Sequence, residues 1–250
     1  MNKQTIIRAT GLQKSFGSVM PARNITVSIE EHSIVGLIGT NGAGKTTFVN
    51  MLTGYIRPDS GDIHFYDKRI TGIAPRNITK LGIARSFQIP QLFASQTARE
   101  NVEIALAISG FPATFADESL ARLGVLEFSE TPSGTLPEGT RKLLDIALAM
   151  VCKPKVLLLD EPTSGVAAEE KFDVMNRVLD AARELDVTVL FVEHDMEIVR
   201  RYSDRVLAFF DGTIIADGTA EVVLADPKVR ELIIGETAVS VSGEHGAAHA

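Results

Sequence analysis

The amino-acid sequence predicts an α/β fold. Strand and helix patterns alternate at both ends of the chain, and the middle is helical. A short apolar strand over 33–38 runs through glycines straight into a helical pattern. A second strand over 155–159, apolar throughout after Lys155, ends in two carboxylates.

In chain order, residues 6–10 and 25–29 read as strands with partial alternation, joined through Ser15-Phe16-Gly17-Ser18. The strand 33–38 leads into a helix over 44–52, which Gly54 and Pro58 close. Gly61-Asp62 then opens a strand near 63–66. Residues 97–107 are helical, with Val102, Ile104 and Leu106 among small residues. Gly110, Pro112, Pro132, Gly134 and Pro137 punctuate the next stretch, up to an amphipathic helix over 139–151. Residues 155–159 form a strand buried on both faces, 168–185 a long amphipathic helix, and 187–192 and 205–209 two more strands. No repeat is visible at any period, which excludes solenoids and tandem copies.

The 250 residues, 45% of them hydrophobic, suit one large domain or two small ones. A chain of this size buries about 70–75% of its unfolded surface, so a core forms without staples. Thirty-two acidic against 25 basic residues leave a net charge of −7, which argues against a nucleic-acid partner. Cys152 alone makes neither an internal disulfide nor a Cys-based zinc site, and fits a reducing compartment. No apolar run approaches the roughly 18 residues of a membrane span. Residues 1–10 carry charge with no apolar block after them, so no signal peptide is expected. The composition is that of a soluble, cytosolic, globular protein. The run 236–250 is small, polar and low in complexity, and reads as a mobile tail. His245 and His249 within it lack a third ligand and read as solvated.

Gly39-Thr40-Asn41-Gly42-Ala43-Gly44-Lys45-Thr46, followed by Thr47, fits the phosphate-binding pattern G-x-x-x-x-G-K-[ST]. It stands between a strand and the N-terminus of a helix. There, backbone N–H groups converge on phosphate oxygens and the helix end adds about half a positive charge. Lys45 would reach the β- and γ-phosphates of a nucleotide, and Thr46 would place its hydroxyl on Mg²⁺. Val156-Leu157-Leu158-Leu159-Asp160-Glu161 supplies the second half. An Asp at the C-terminal edge of a parallel sheet is where the metal partner of such a loop belongs. Asp160 would hold Mg²⁺, directly or indirectly, and Glu161 would orient and deprotonate the attacking water. Gln88 follows a short strand and could reach metal or water. His194 ends a strand and could act as a donor near the γ-phosphate, and Phe16, on an early loop, could stack on adenine.

Taken in order, Phe16, the phosphate loop, Gln88, Leu136-Pro137-Glu138-Gly139-Thr140, Asp160-Glu161 and His194 resemble the ATP-binding subunit of ABC transporters over about residues 5–236. Gly82-Ile83-Ala84-Arg85-Ser86-Phe87-Gln88, Val192-Glu193-His194-Asp195-Met196 and the ending from Asp226-Pro227-Lys228-Val229 to Gly235-Glu236 look like the Liv-type branch. That branch serves branched-chain amino-acid and related importers, and the Gln88 and His194 segments look like the first of its two ATPase types. The resemblance implies a mixed-sheet nucleotide-binding core, an N-terminal antiparallel β-part and a helical subdomain inserted at about 95–151. It implies one domain over 1–236 with a tail over 237–250. It also implies ATP hydrolysis with Mg²⁺ and a second ATPase subunit, homo- or heterodimeric. Transmembrane permease subunits and, indirectly, a solute-binding protein complete the implied partners. The location implied is cytoplasmic, peripheral on the inner face of the cell membrane, with the Gln88 loop and the helical insertion as the membrane-side contact.

Two loops depart from the family pattern. The signature loop, usually close to L-S-G-G-Q, has Pro137 for the serine, Glu138 for the first glycine and Thr140 for the glutamine. Ala167 stands where an Asp or Asn is usual. Both loops face the partner subunit in the resembled fold, so the ATP-gripping half is intact and the half offered to the partner is altered. Other readings remain: the ATPase of another ABC importer or exporter, a non-transport ABC-type ATPase, or an ATP switch with negligible turnover. Non-transport members usually carry two ATPase units or a long coiled-coil insertion, and the intact Glu161 and His194 speak against a silent switch.

Overall fold

The computed structural model describes residues 4–235, so the tail 236–250 with His245 and His249 lies outside the described residues. The described strands are β1 (Thr5–Phe16), β2 (Val19–Glu30), β3 (Ile34–Gly39), β4 (Ser60–Phe65), β5 (Lys68–Arg69), β6 (Ile83–Arg85), β7 (Val156–Asp160), β8 (Thr188–Val192), β9 (Arg205–Phe210) and β10 (Thr213–Gly218). They form an antiparallel sheet of order β2-β1-β4-β5 and a mixed sheet of order β10-β9-β3-β8-β7-β6. Among the described strands of the mixed sheet, only β10 runs antiparallel to its neighbour. This is the α/β arrangement expected.

The central strands β3, β7 and β8 are buried at every position, and alternation divides each between two cores. Val35, Leu37, Leu158, Leu190, Val192 and Phe209 point towards the helix α1 (Lys45–Leu52) and the antiparallel sheet. Ile34, Ile38, Leu157, Leu159, Val189 and Phe191 point the other way, onto a helical layer. Each such side chain contributes about 1.5–3 kcal/mol on burial. A polar substitution at Leu37 or Phe191 would therefore damage one core and spare the other.

After α2 (Pro75–Leu81), the helical layer comprises α3 (Ala98–Ser109), α4 (Ala116–Arg122), α5 (Glu138–Met150), α6 (Lys171–Glu184), α7 (Met196–Tyr202) and α8 (Ala220–Ala225). Thr97 and Glu100 close a reciprocal capping box at the start of α3, and Gly110, at φ 77°, ends it. The helices α3 to α5 lie between β6 and β7 in sequence, yet those strands are parallel neighbours, Ile83 beside Val156 and Arg85 beside Leu158. The whole excursion leaves and rejoins one sheet edge.

Three expectations shift. The strands expected at 6–10 and 25–29 are the middles of much longer ones, because β1 and β2 pair with repeated register shifts that interrupt strict alternation. Phe16 is the last residue of β1, not a loop residue; the hairpin turn is Gly17-Ser18 alone, with Phe16 paired to Val19. The helix expected from 168 starts at Lys171. The short α2, α4, α7 and α8, of six or seven residues each, are too brief for a 3.6-residue period to register. Among the described residues no helix is long and apolar enough to cross a membrane.

Candidate functional site

β3 ends at Gly39 and α1 begins at Lys45, so the phosphate loop spans a sharp strand-to-helix turn. Gly44, at φ 106°, heads the helix with no side-chain cap, and a Cβ there would lie 2.1 Å from the Pro21 carbonyl oxygen. Only glycine fits, and the first-turn N–H groups are left for a ligand. Thr40, Asn41 and Gly42 form the exposed crest; Ala43, Gly44 and Lys45 are buried, Thr46 is exposed and Thr47 half-buried. Lys45 folds back over the loop, its Nζ donating to the carbonyls of Gly39 (2.6 Å) and Thr40 (3.0 Å). Burial pushes its pKa down, against the pull of Glu161 and Asp160. An ammonium has three N–H donors, so one remains for a phosphate oxygen.

Asn41 to Thr47 line a cavity of about 220 Å³ together with Val19, Pro21, Glu161 and His194. That is below the roughly 300–1,000 Å³ of a pocket that encloses a small molecule. The loop is one wall of a site and not a closed chamber.

The facing wall comes from the ends of β7 and β8, where Asp160 pairs in register with Val192. Glu161 follows at φ 51°, a left-handed conformation rare for a non-glycine residue. Its N–H donates to the Val192 carbonyl at 3.0 Å. One side-chain oxygen accepts from Gln88 Nε2 at 2.9 Å, and the other lies 3.2 Å from His194 Nε2. Buried Glu193 steadies this edge: its carboxylate accepts from the Thr163 N–H and hydroxyl and from the His194 N–H.

Asp160 is held differently. Its Oδ2 pairs with Arg85 Nη2 at 2.6 Å, both side chains 8% exposed. Arg85 also donates to Asn50 on α1 and lies over the rings of Phe87 (4.9 Å) and Tyr55 (5.9 Å). Nothing in a phosphate-loop pattern signals Arg85, Asn50 or Glu193; the side chains they bond to, Asp160 and Asn50 for Arg85 and Thr163 for Glu193, lie far away in the chain.

The fold thus brings Lys45, Thr46, Glu161 and His194 around one cavity, and Gln88 joins them through Glu161. Phe16 stands apart on the hairpin end, half exposed, with Lys14 Nζ 5.3 Å from its ring centroid. Leu136, Pro137, Glu138, Gly139 and Thr140 do not line this cavity. Pro137 is the N-cap of α5, and Glu138 opens the helix with its carboxylate 3.4 Å from Arg141. As to metal, no cluster of three or more His, Cys, Asp and Glu occurs among the described residues. The donors expected for a metal, the Thr46 hydroxyl on the cavity and the Asp160 carboxylate, which does not line the cavity and shares one oxygen with Arg85, are hard oxygens. They suit Mg²⁺, which binds through one or two protein ligands plus substrate phosphates.

Residues 22–164 match the family described as ABC transporter. The high-affinity branched-chain amino acid transport ATP-binding protein LivG of Salmonella typhimurium is 33% identical over 252 residues, 93% of this chain and 99% of that protein. BraF of Pseudomonas aeruginosa, described in the same words, is 33% identical over 250 residues, 92% of this chain and 98% of that one. Among solved structures, the ADP conformation of an ATP-binding cassette of an ABC transporter superposes with a TM-score of 0.86 at 32% identity, covering 93% of this chain and 100% of that one. A Clostridium perfringens subunit described as part of an ABC transporter complex superposes at 0.82 with 28% identity, covering 92% of this chain and 94% of that one. The phosphate loop, the carboxylates facing it and these likenesses along nearly the whole chain agree: the chain belongs to the ABC transporter family, as one of its ATP-binding subunits.

Proposed function

We propose that this chain hydrolyses ATP, with Mg²⁺, to drive import of branched-chain amino acids or related small amides and acids through separate permease subunits. The observation that carries the reading is Glu161, held at both oxygens by Gln88 and His194 on the wall opposite the phosphate loop. A carboxylate so placed is aimed at the position of an attacking water. Glu161 takes the water's proton, the water oxygen bonds to the γ-phosphorus, and the bond to the ADP oxygen breaks. Lys45 and the N–H groups of α1 offset charge on the phosphates. Thr46 and Asp160 would hold Mg²⁺, which supplies further charge neutralisation when bound. Gln88 and His194 orient the base and the γ-phosphate, and the exposed face of Phe16 stacks on adenine.

The open wall calls for a second ATPase subunit, which presents its signature loop to this nucleotide while Leu136 to Thr140 serve the partner's. The permease docks beside the Gln88 loop and the helices inserted between β6 and β7. A groove of about 770 Å³ at the C-terminal end of α3 supports docking on the inserted helices, with Arg76, Lys80, Lys153 and Lys155 around apolar Ile108 and Phe111. The chain then sits on the cytoplasmic face of the membrane, and any solute-binding protein acts on it only through the permease.

The test is phosphate release by the chain reconstituted with its co-purifying permease in vesicles, with uptake of labelled leucine. ATP-dependent uptake that stops when Glu161 is replaced by Gln supports the reading. Phosphate release without leucine uptake removes the branched-chain amino-acid assignment, and no release at all removes the ATPase.

A further inference from the structure

Among the described residues, Lys142 is a buried lysine with no carboxylate within ion-pair distance. It lies in the second turn of α5, is 3% exposed, and burial lowers its pKa. Burying an ammonium is costly unless hydrogen bonds compensate. Its hydrogen bonds go to two backbone carbonyls: those of Gln88, a short contact, and Glu161, at 3.3 Å. These are the two residues whose side chains meet in the hydrolytic cluster. The contacts therefore close a ring, from Lys142 through Gln88 and Glu161 and back to Lys142.

Asp145, one turn further along the same helix face, completes the grip. Its carboxylate accepts the N–H of Phe87 at 3.2 Å and of Gln91 at 2.8 Å, bracketing Gln88 from both sides. Glu161 adds a second, independent observation. A non-glycine residue at φ 51° persists only where its surroundings hold it, and Lys142 is one of the groups that does so. Leu136 and Pro137 lead into α5, and Glu138, Gly139 and Thr140 form its first turn.

We propose that Lys142 is a positioning residue: one ammonium holds the carbonyls of Gln88 and Glu161, and so ties the placement of α5 and its leading loop to the geometry of this chain's own hydrolytic cluster. The proposal rests on Glu161 acting as the base. In the assembled dimer it would let the loop that touches the partner's nucleotide report to Glu161 of the same chain.

The experiment compares Lys142→Met and Lys142→Arg in the full chain with its transport partners, measuring ATP turnover and, separately, ATP affinity. A misplacement of about 1 Å at a reacting group costs on the order of 100-fold. Lys142→Met should therefore lower turnover at least about 10-fold while the ATP dissociation constant stays within about twofold. Lys142→Arg, which restores N–H donors, should recover most of the loss. Combining Lys142→Met with Gln88→Ala should cost less than the product of the single losses, because both act through one cluster. Unchanged turnover in Lys142→Met, or a parallel loss of affinity, or losses that multiply, would overturn the proposal. If Lys142→Met does not fold, Lys142→Gln is read in the same way, and failure of both to fold makes the residue structural only and likewise overturns it. Wild-type turnover in the same preparation keeps the two ideas apart: its absence removes the ATPase reading, whereas its presence beside an unaffected Lys142→Met removes only the coupling.

Discussion

Gln88 and Glu161, 73 positions apart, meet through a single hydrogen bond of 2.9 Å, the amide of one donating to the carboxylate of the other. His194 occupies the second oxygen. Replacing Glu161 by Gln keeps the volume and removes the base. Turnover should fall at least about 100-fold with ATP affinity unchanged, read by phosphate release and calorimetric titration. If turnover persists, His194 becomes the candidate base.

Lys45 holds its own loop as well as any phosphate. Truncation to Ala removes charge-assisted contacts that contribute about 1.5–3 kcal/mol each. Binding at micromolar ATP should vanish in a calorimetric titration. Wild-type affinity would place the nucleotide elsewhere.

Arg85 and Asp160 form an ion pair with both side chains 8% exposed. Arg85→Met leaves a buried carboxylate without its partner, at about 3–5 kcal/mol. The urea midpoint should drop accordingly. A wild-type midpoint would show that Asp160 finds another partner at no cost.

Pro137 offers no hydroxyl to a phosphate, and a lost hydrogen bond to a charged group costs about 1.5–3 kcal/mol. Glu138 adds negative charge at the head of α5, partly offset by Arg141 at 3.4 Å. In a heterodimer the site completed by this loop should be the slower one. Glu161→Gln here should then depress total ATPase activity more than the matching change in the partner. Equal losses would leave Pro137 as a helix start only.

Asp59 ties the end of β1 in place, accepting from Lys14 at 2.6 Å and from the Ser15 N–H and hydroxyl. The Lys14 hydrogen bond, then those from Ser15, hold its carboxyl down at about 2. Its folded value lies below the ordinary value of about 3.9. The tether therefore contributes above about pH 4 and is lost as pH falls towards about 2. Carboxyl NMR should show Asp59 titrating near 2, and Asp59→Asn should loosen the strand that carries Phe16. A midpoint at the ordinary value of about 3.9 would mean that Lys14 swings free.

The phosphate loop is legible in the sequence because its chemistry is local: Gly39 to Thr47 need only one another and the strand before them. β7 is legible because a strand buried on both faces carries no polar residue until Asp160. Phe16 reads as a loop residue because the register shifts of β1 hide that strand's true length. Arg85, Lys142, Asp145 and Glu193 escape a sequence reading for a different reason. The partners that fix them are mostly backbone groups and side chains distant in sequence, and no spacing rule announces a lysine that grips two carbonyls.

The strand that carries the phosphate loop has no early neighbour. Among the described strands of the mixed sheet, β3 pairs with β8 and β9 alone, Ile34 beside Val189 and Gly39 beside Phe209. A ribosome thus releases the loop long before the strands that flank it, and the nascent chain is incompetent for nucleotide until both have emerged. Contacts of such high order slow folding, and until β8 and β9 arrive both edges of β3 are open to stray pairing. Synthesis arrested before Thr188, where β8 begins, should yield a chain for chaperones and proteases, not a weak ATPase.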